Sequence, residues 1–226
     1  MRLDYGTKKE NRATVAQIAK EALAEHSITP EQTEGPVRMW YCGRKGTGMY
    51  SYRVIAAPNM LLVYGDVGDY ILQVYDKDLV PWLRGAIKSE NYLISKMINK
   101  GEVFMPKEAV KLLDDLVNEA KEYDHEVEYD RDEDDEEIEG IHTKEARELK
   151  RKVLDEWDKD YGGYEEFAEA FHCAGGESSL TDRTIDYESS VYWTVECLKR
   201  FVELLDAKDD KGDSICSSLV TLIEEK

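Results

Sequence analysis

Residues 37–75, VRMWYCGRKGTGMYSYRVIAAPNMLLVYGDVGDYILQVY, read as four short apolar strands separated by three turn signals. Those signals are Gly43-Arg44-Lys45-Gly46-Thr47-Gly48, Pro58-Asn59 and Asp66-Val67-Gly68-Asp69. Glycine and asparagine are the residues a turn demands where φ must go positive, so consecutive strands joined in this way predict an antiparallel meander. The second strand alternates, with Tyr50, Tyr52, Val54 and Ala56 on one face and Ser51, Arg53 and Ile55 on the other. The last two are rich in β-branched and aromatic residues, as half-buried strands are. A lone hairpin would be marginal, whereas four strands with helices packed on one face can hold a core.

On the amino-terminal side, residues 11–26 carry an apolar stripe of Val15, Ile18, Ala19 and Ala22, which predicts a helix capped by Asn11 or Thr14. Residues 27–36, with Pro30, Gly35 and Pro36, read as an extended linker into the first strand. After the meander, residues 79–87, with Pro81 in the first turn, and residues 89–99 read as short helices. Val110, Leu113, Val117 and Ala120 stripe a longer helix over 106–123. Beyond Gly140 every pattern is helical. Ala146, Leu149, Val153 and Trp157 form one stripe, residues 164–171 make a helix that Gly175-Gly176 ends, and residues 187–207 carry the seam Val191, Val195, Leu198, Val202 and Leu205. Leu219, Leu222 and Ile223 suggest a terminal helical turn. The expected architecture is therefore α+β. It places a four-stranded antiparallel meander with packed helices in residues 1–120, an acidic linker in 121–140 and an all-helical region in 141–226.

Charge is distributed unevenly along the 226 residues. The net −19 arises entirely after residue 120, because residues 1–120 hold 16 basic and 16 acidic side chains while residues 121–226 hold 14 and 33. Residues 121–139 alone reach −10. Such a field repels nucleic acid, and it favours a basic protein partner. Two readings of this run stay open: a solvated linker, or an ordered array in which Glu128, Asp130, Asp132, Glu133, Asp134, Asp135, Glu136 and Glu137 imitate the repeating charge of a nucleic-acid backbone. The four cysteines lack CxxC spacing, and the first twelve residues are polar and charged, so free thiols in a reducing cytoplasm are expected. No apolar run approaches the ~18 residues a membrane span needs.

Few residues suggest chemistry. In the loop Gly43, Arg44, Lys45, Gly46, Thr47, Gly48, the glycines allow backbone N–H groups to approach an anion and two cations could hold it. The loop lacks the Lys-Ser/Thr ending of a P-loop, and it lies between strands rather than before a helix. With Tyr50 and Tyr52 offering aromatic faces, it is the candidate site for a nucleotide or another phosphorylated signal. Asp66 and Asp69 are explained by turn chemistry. His172-Cys173 cannot act as a direct pair, because neighbours on a helix point to different faces, and Cys197 adds no ligand spacing. No nucleophile–base–orienter set emerges, so no catalytic residue, metal or cofactor is assigned and a non-enzymatic role is expected.

Gly65-Asp66-Val67-Gly68-Asp69-Tyr70, Pro81-Trp82-Leu83-Arg84-Gly85 and Asn91-Tyr92-Leu93-Ile94-Ser95-Lys96 resemble stretches of uncharacterised proteins encoded by bacteriophages and prophages. The patterns around residues 167–174, Tyr192-Trp193 and Phe201-Val202 are similar to the same group. The resemblance supplies no catalytic residue. It implies a viral protein acting in the cytoplasm of an infected bacterium, by analogy an inhibitor of host defence such as an anti-CRISPR protein that sets an acidic surface against a basic nucleic-acid channel. Direct nucleic-acid or membrane binding is not expected, and a homo-oligomer is left open.

Overall fold

The computed structural model describes residues 7–76, 78–126, 143–154 and 163–209. The chain is α+β and divides into two compact units whose bounds differ from the expected regions. One comprises Arg12–Gly101 with Glu188–Lys226 and holds the sheet; the other comprises Met1–Asn11 with Glu102–Tyr187 and is mainly helical. The carboxy-terminal helices therefore belong to both units.

In the sheet unit, helix α1 (Lys8–Ala22, whose first turn counts with the other unit) precedes five strands: β1 (Ser27–Gln32), β2 (Arg38–Gly43), β3 (Tyr52–Ala57), β4 (Met60–Gly65) and β5 (Tyr70–Gln73). They lie in chain order, each antiparallel to the next. The meander has five strands rather than four, because the segment expected to be a linker pairs with β2 from Ser27↔Gly43 to Pro30↔Trp40. Only Ile28 of β1 is buried, so no alternation announced the strand. Pro30 is tolerated because β1 is an edge, where a missing N–H breaks no ladder on its outer side, and the register shifts directly after it. The three turn signals act as read. Asn59 (φ 64°) closes β3 to β4, Gly68 (φ 119°) lies between β4 and β5, and Gly46 (φ 84°) lies between β2 and β3.

Helices α2 (Leu79–Ala86) and α3 (Glu90–Ser95) follow, and α8 (Ser189–Asp209) completes the unit. The inward strand residues Trp40, Cys42, Tyr52, Val54, Leu61, Val63 and Leu72 are buried. Successive residues of α8 meet successive strands. Ser190 hydrogen-bonds Tyr70 of β5 (2.7 Å), the Cys197 carbonyl accepts from the Tyr52 hydroxyl of β3 (2.8 Å), and Phe201 packs edge-on against Trp40 of β2 (5.3 Å between ring centroids). The whole predicted seam, Val191 to Leu205, is buried, and α8 is the helix that closes the sheet's inner face.

The helical unit contains β6 (Glu102–Phe104) paired with β7 (Ile185–Tyr187), and α4 (Pro106–Glu126), α5 (Thr143–Lys152), α6 (Gly163–Cys173) and α7 (Ser178–Thr181). Its core gathers Leu112 and Leu113 of α4, Ala146 and Leu149 of α5, and Phe167 and Phe171 of α6. At the amino terminus, Thr7 and Glu10 form a reciprocal capping box: the Glu10 N–H donates to the Thr7 hydroxyl (3.3 Å) and the Thr7 N–H to the Glu10 carboxylate (2.7 Å). The cap thus lies before both Asn11 and Thr14, and hydrogen bonding to the Glu10 carboxylate from the Thr7 backbone N–H, with the Thr7 hydroxyl second, holds that carboxyl below its usual range. Helix α6 ends as Gly175-Gly176 predicts. Gly175 (φ 88°) donates to the His172 carbonyl and Gly176 to that of Phe171, the two bonds of a Schellman motif.

Candidate interaction surfaces

The loop after β2 places Arg44, Lys45, Gly46 and Gly48 on the surface. The Arg44 guanidinium meets the Glu25 carboxylate at 2.7 Å in an exposed ion pair. Gly43 is needed for a different reason: its missing side chain leaves room for the Tyr41 ring, which a methyl group there would strike. Tyr50 lies just before β3, which begins at Tyr52. It has φ 56°, and its ring stacks on Trp193 of α8 at 5.2 Å and 11°. Tyr52 is 1% exposed, with its hydroxyl bound to Cys197, so it forms part of the core and offers no face to a base.

Around Tyr52 lies the unit's polar interior. Burial pushes the Cys42 thiol up to about 12 and raises that of Cys197 well above its ordinary value, so both remain protonated and unreactive at neutral pH. His26 stacks beside Tyr52 (6.2 Å) and holds the Tyr50 carbonyl through Nε2 (3.0 Å). Burial lowers its pKa, with Arg200 and Arg44 opposing a second positive charge. Its Nδ1 is buried with no hydrogen-bond partner among the described residues. Cys173 is exposed, apart from these two thiols. Asp69 accepts a bond from the Gly65 N–H (3.3 Å), which is turn chemistry as expected.

Glu128, Asp130, Asp132, Glu133, Asp134, Asp135, Glu136 and Glu137 lie outside the described residues, as does Cys216. In the chain these acids fall within the residue range 102–187. Counted by unit, Met1–Asn11 with Glu102–Tyr187 carries a net −17, and Arg12–Gly101 with Glu188–Lys226 only −2. Among the described residues of the helical unit, Asp115 and Glu119 of α4 and Glu165, Glu166 and Glu169 of α6 are exposed acids. Lys150 of α5 is partly neutralised by Asp114 (2.6 Å).

One surface escaped the sequence reading. The outward residues of the sheet form two rows across the strands, Met39↔Ile55↔Leu62↔Ile71 and Thr29↔Tyr41↔Arg53↔Tyr64, and none of these eight is buried. The Arg53 guanidinium lies 5.1 Å from the Tyr41 ring and 5.8 Å from that of Tyr64, and it is held by both carboxylate oxygens of Glu31 (2.8 and 3.0 Å). The available signal was that the outward positions of several strands are apolar, whereas a solvated sheet face ordinarily alternates to polar residues.

Among the described residues, no three or more metal-ligating side chains come together, and no helix is long and apolar enough to cross a membrane. Comparison with protein-family models, with curated proteins and with solved structures finds no match to this chain.

Proposed function

We propose that this chain is a non-enzymatic, bacteriophage-encoded inhibitor of a bacterial defence system that binds a basic, nucleic-acid-handling protein through its acidic helical unit. The observation that carries the reading is the segregation of charge: one compact unit holds −17 and the other −2. A field concentrated on one unit steers and orients a basic partner more effectively than the same charge spread evenly. The viral origin and the defence target rest on the resemblance of residues 65–70, 81–85 and 91–96 to phage proteins.

The test is capture from a bacterial lysate on the immobilised full chain at about 50 and about 500 mM NaCl, conditions that differ several-fold in screening length. Basic proteins identified by mass spectrometry should be retained at low salt and released at high salt. Retention should fall for the variant Asp132→Asn, Glu133→Gln, Asp134→Asn, Asp135→Asn, Glu136→Gln, Glu137→Gln. Retention indifferent to both changes would refute the electrostatic mechanism. The rival reading, sequestration of a nucleotide by the Arg44/Lys45 loop, has less support because Glu25 engages Arg44 and Tyr52 is buried. A thermal shift with nucleotide that vanishes on Arg44→Ala, Lys45→Ala would restore it.

A further inference from the structure

The outer face of the sheet has the composition of an interface centre rather than of a solvated surface. Its middle row is Met39, Ile55, Leu62 and Ile71, and the next row carries two tyrosines flanking one arginine. Ile71 is 37% exposed, Tyr64 36% and the adjoining Met60 40%. Methionine, tyrosine and arginine are the residues enriched where proteins bury surface on association, and lysine and glutamate are depleted there. The charge of Arg53 is cancelled within the face by Glu31, so the surface presents no net charge for a partner of either sign to complement.

We propose that this face packs against the same face of a second copy of the chain, forming a two-fold symmetric β-sandwich across the dimer. Five strands spaced ~4.8 Å and six residues rising ~3.4 Å each give a face of roughly 20 by 20 Å. Once side-chain relief is counted, two such faces stacked ~10 Å apart bury on the order of 1,000 Å², the lower bound for a specific interface. A copy satisfies the face because a two-fold axis lying midway between the two sheets and parallel to their planes lays apolar row on apolar row and brings no unpaired charge with it. A basic partner is drawn to the −17 unit instead, and an acidic one is repelled by the chain's −19.

The two associations respond oppositely to salt. Each copy carries −19, so self-association tightens as salt screens the repulsion, whereas partner binding by the acidic unit weakens. Sedimentation equilibrium of the full chain between about 5 and about 200 μM, at about 50 and about 500 mM NaCl, should show a dimer whose fraction rises with salt. Leu62→Glu combined with Ile71→Glu should weaken it at least ~10-fold, while Arg44→Ala, outside the face, should leave it unchanged. Hydroxyl-radical footprinting of the wild-type chain supplies a readout independent of any variant: Met60 and Tyr64 should gain protection with concentration and Met49, 65% exposed beyond the sheet, should not. A monomer throughout this range, or a dimer without protection of Met60 and Tyr64, would overturn the proposal. Neither result touches the salt-weakened capture that tests the acidic unit.

Discussion

His26 shows how one side chain ties stability to pH. Burial lowers its pKa from the ordinary 6.5, so the fold favours the neutral ring while the unfolded chain takes up a proton near 6.5. The stabilisation from keeping the ring neutral is therefore complete above pH 6.5 and is lost as pH falls from there through the folded-state pKa. Urea titrations at several pH values should show a fall in midpoint below pH 6.5 that is shallower in His26→Gln. At Gly176 the constraint is space. A methyl group would strike the Phe171 ring, so Gly176→Ala should destabilise the helical unit by about 1–3 kcal/mol, read by thermal melting. The Gly175-Gly176 stop could be read directly from the sequence because a Schellman end needs only local residues. The burial of Tyr52 could not, since a tyrosine on an alternating strand looks the same whether a helix or solvent covers it.

Among elements, α8 decides most. Its seam was legible because Val191, Val195, Leu198, Val202 and Leu205 recur at helical spacing, but which strands it crosses depends on contacts distant in the chain, such as Phe201 with Trp40. Phe201→Ala removes the ring that packs on Trp40 and should cost about 3–5 kcal/mol by denaturant unfolding. Strand β1 marks the opposite limit. It has one buried residue and a proline, so its strand character comes almost wholly from the hydrogen bonds β2 offers it. Helix α4 was predicted from Val110, Leu113 and Val117, and it runs to Glu126, into the start of the acidic stretch.

At the scale of the whole molecule, the chain leaves the sheet unit after Gly101 and returns at Glu188, whose N–H donates to the Gly101 carbonyl at 3.1 Å. Because those two residues already meet, replacing residues 102–187 by a short glycine turn should leave the sheet unit folded, with a cooperative melt and an intact β-sheet circular dichroism signal. The same deletion should abolish capture of basic proteins while self-association through the sheet face persists and loses its steep salt dependence, since about −18 of charge goes with the excised segment. An unfolded product, or capture that survives the excision, would contradict this division of labour. The sequence by itself determined the α+β class, the turns of the meander, the apolar seams of α4 and α8 and the sign and size of the charge, because each depends on local periodicity, on residues that alone permit positive φ, or on counting. Tertiary structure alone decided that β1 is a strand, that Tyr52 is core and that α8 rather than its helical neighbours closes the sheet. Tyr52 and α8 meet only after the chain has folded back over more than a hundred residues, and β1 takes its strand character from its pairing with β2 rather than from any pattern of its own.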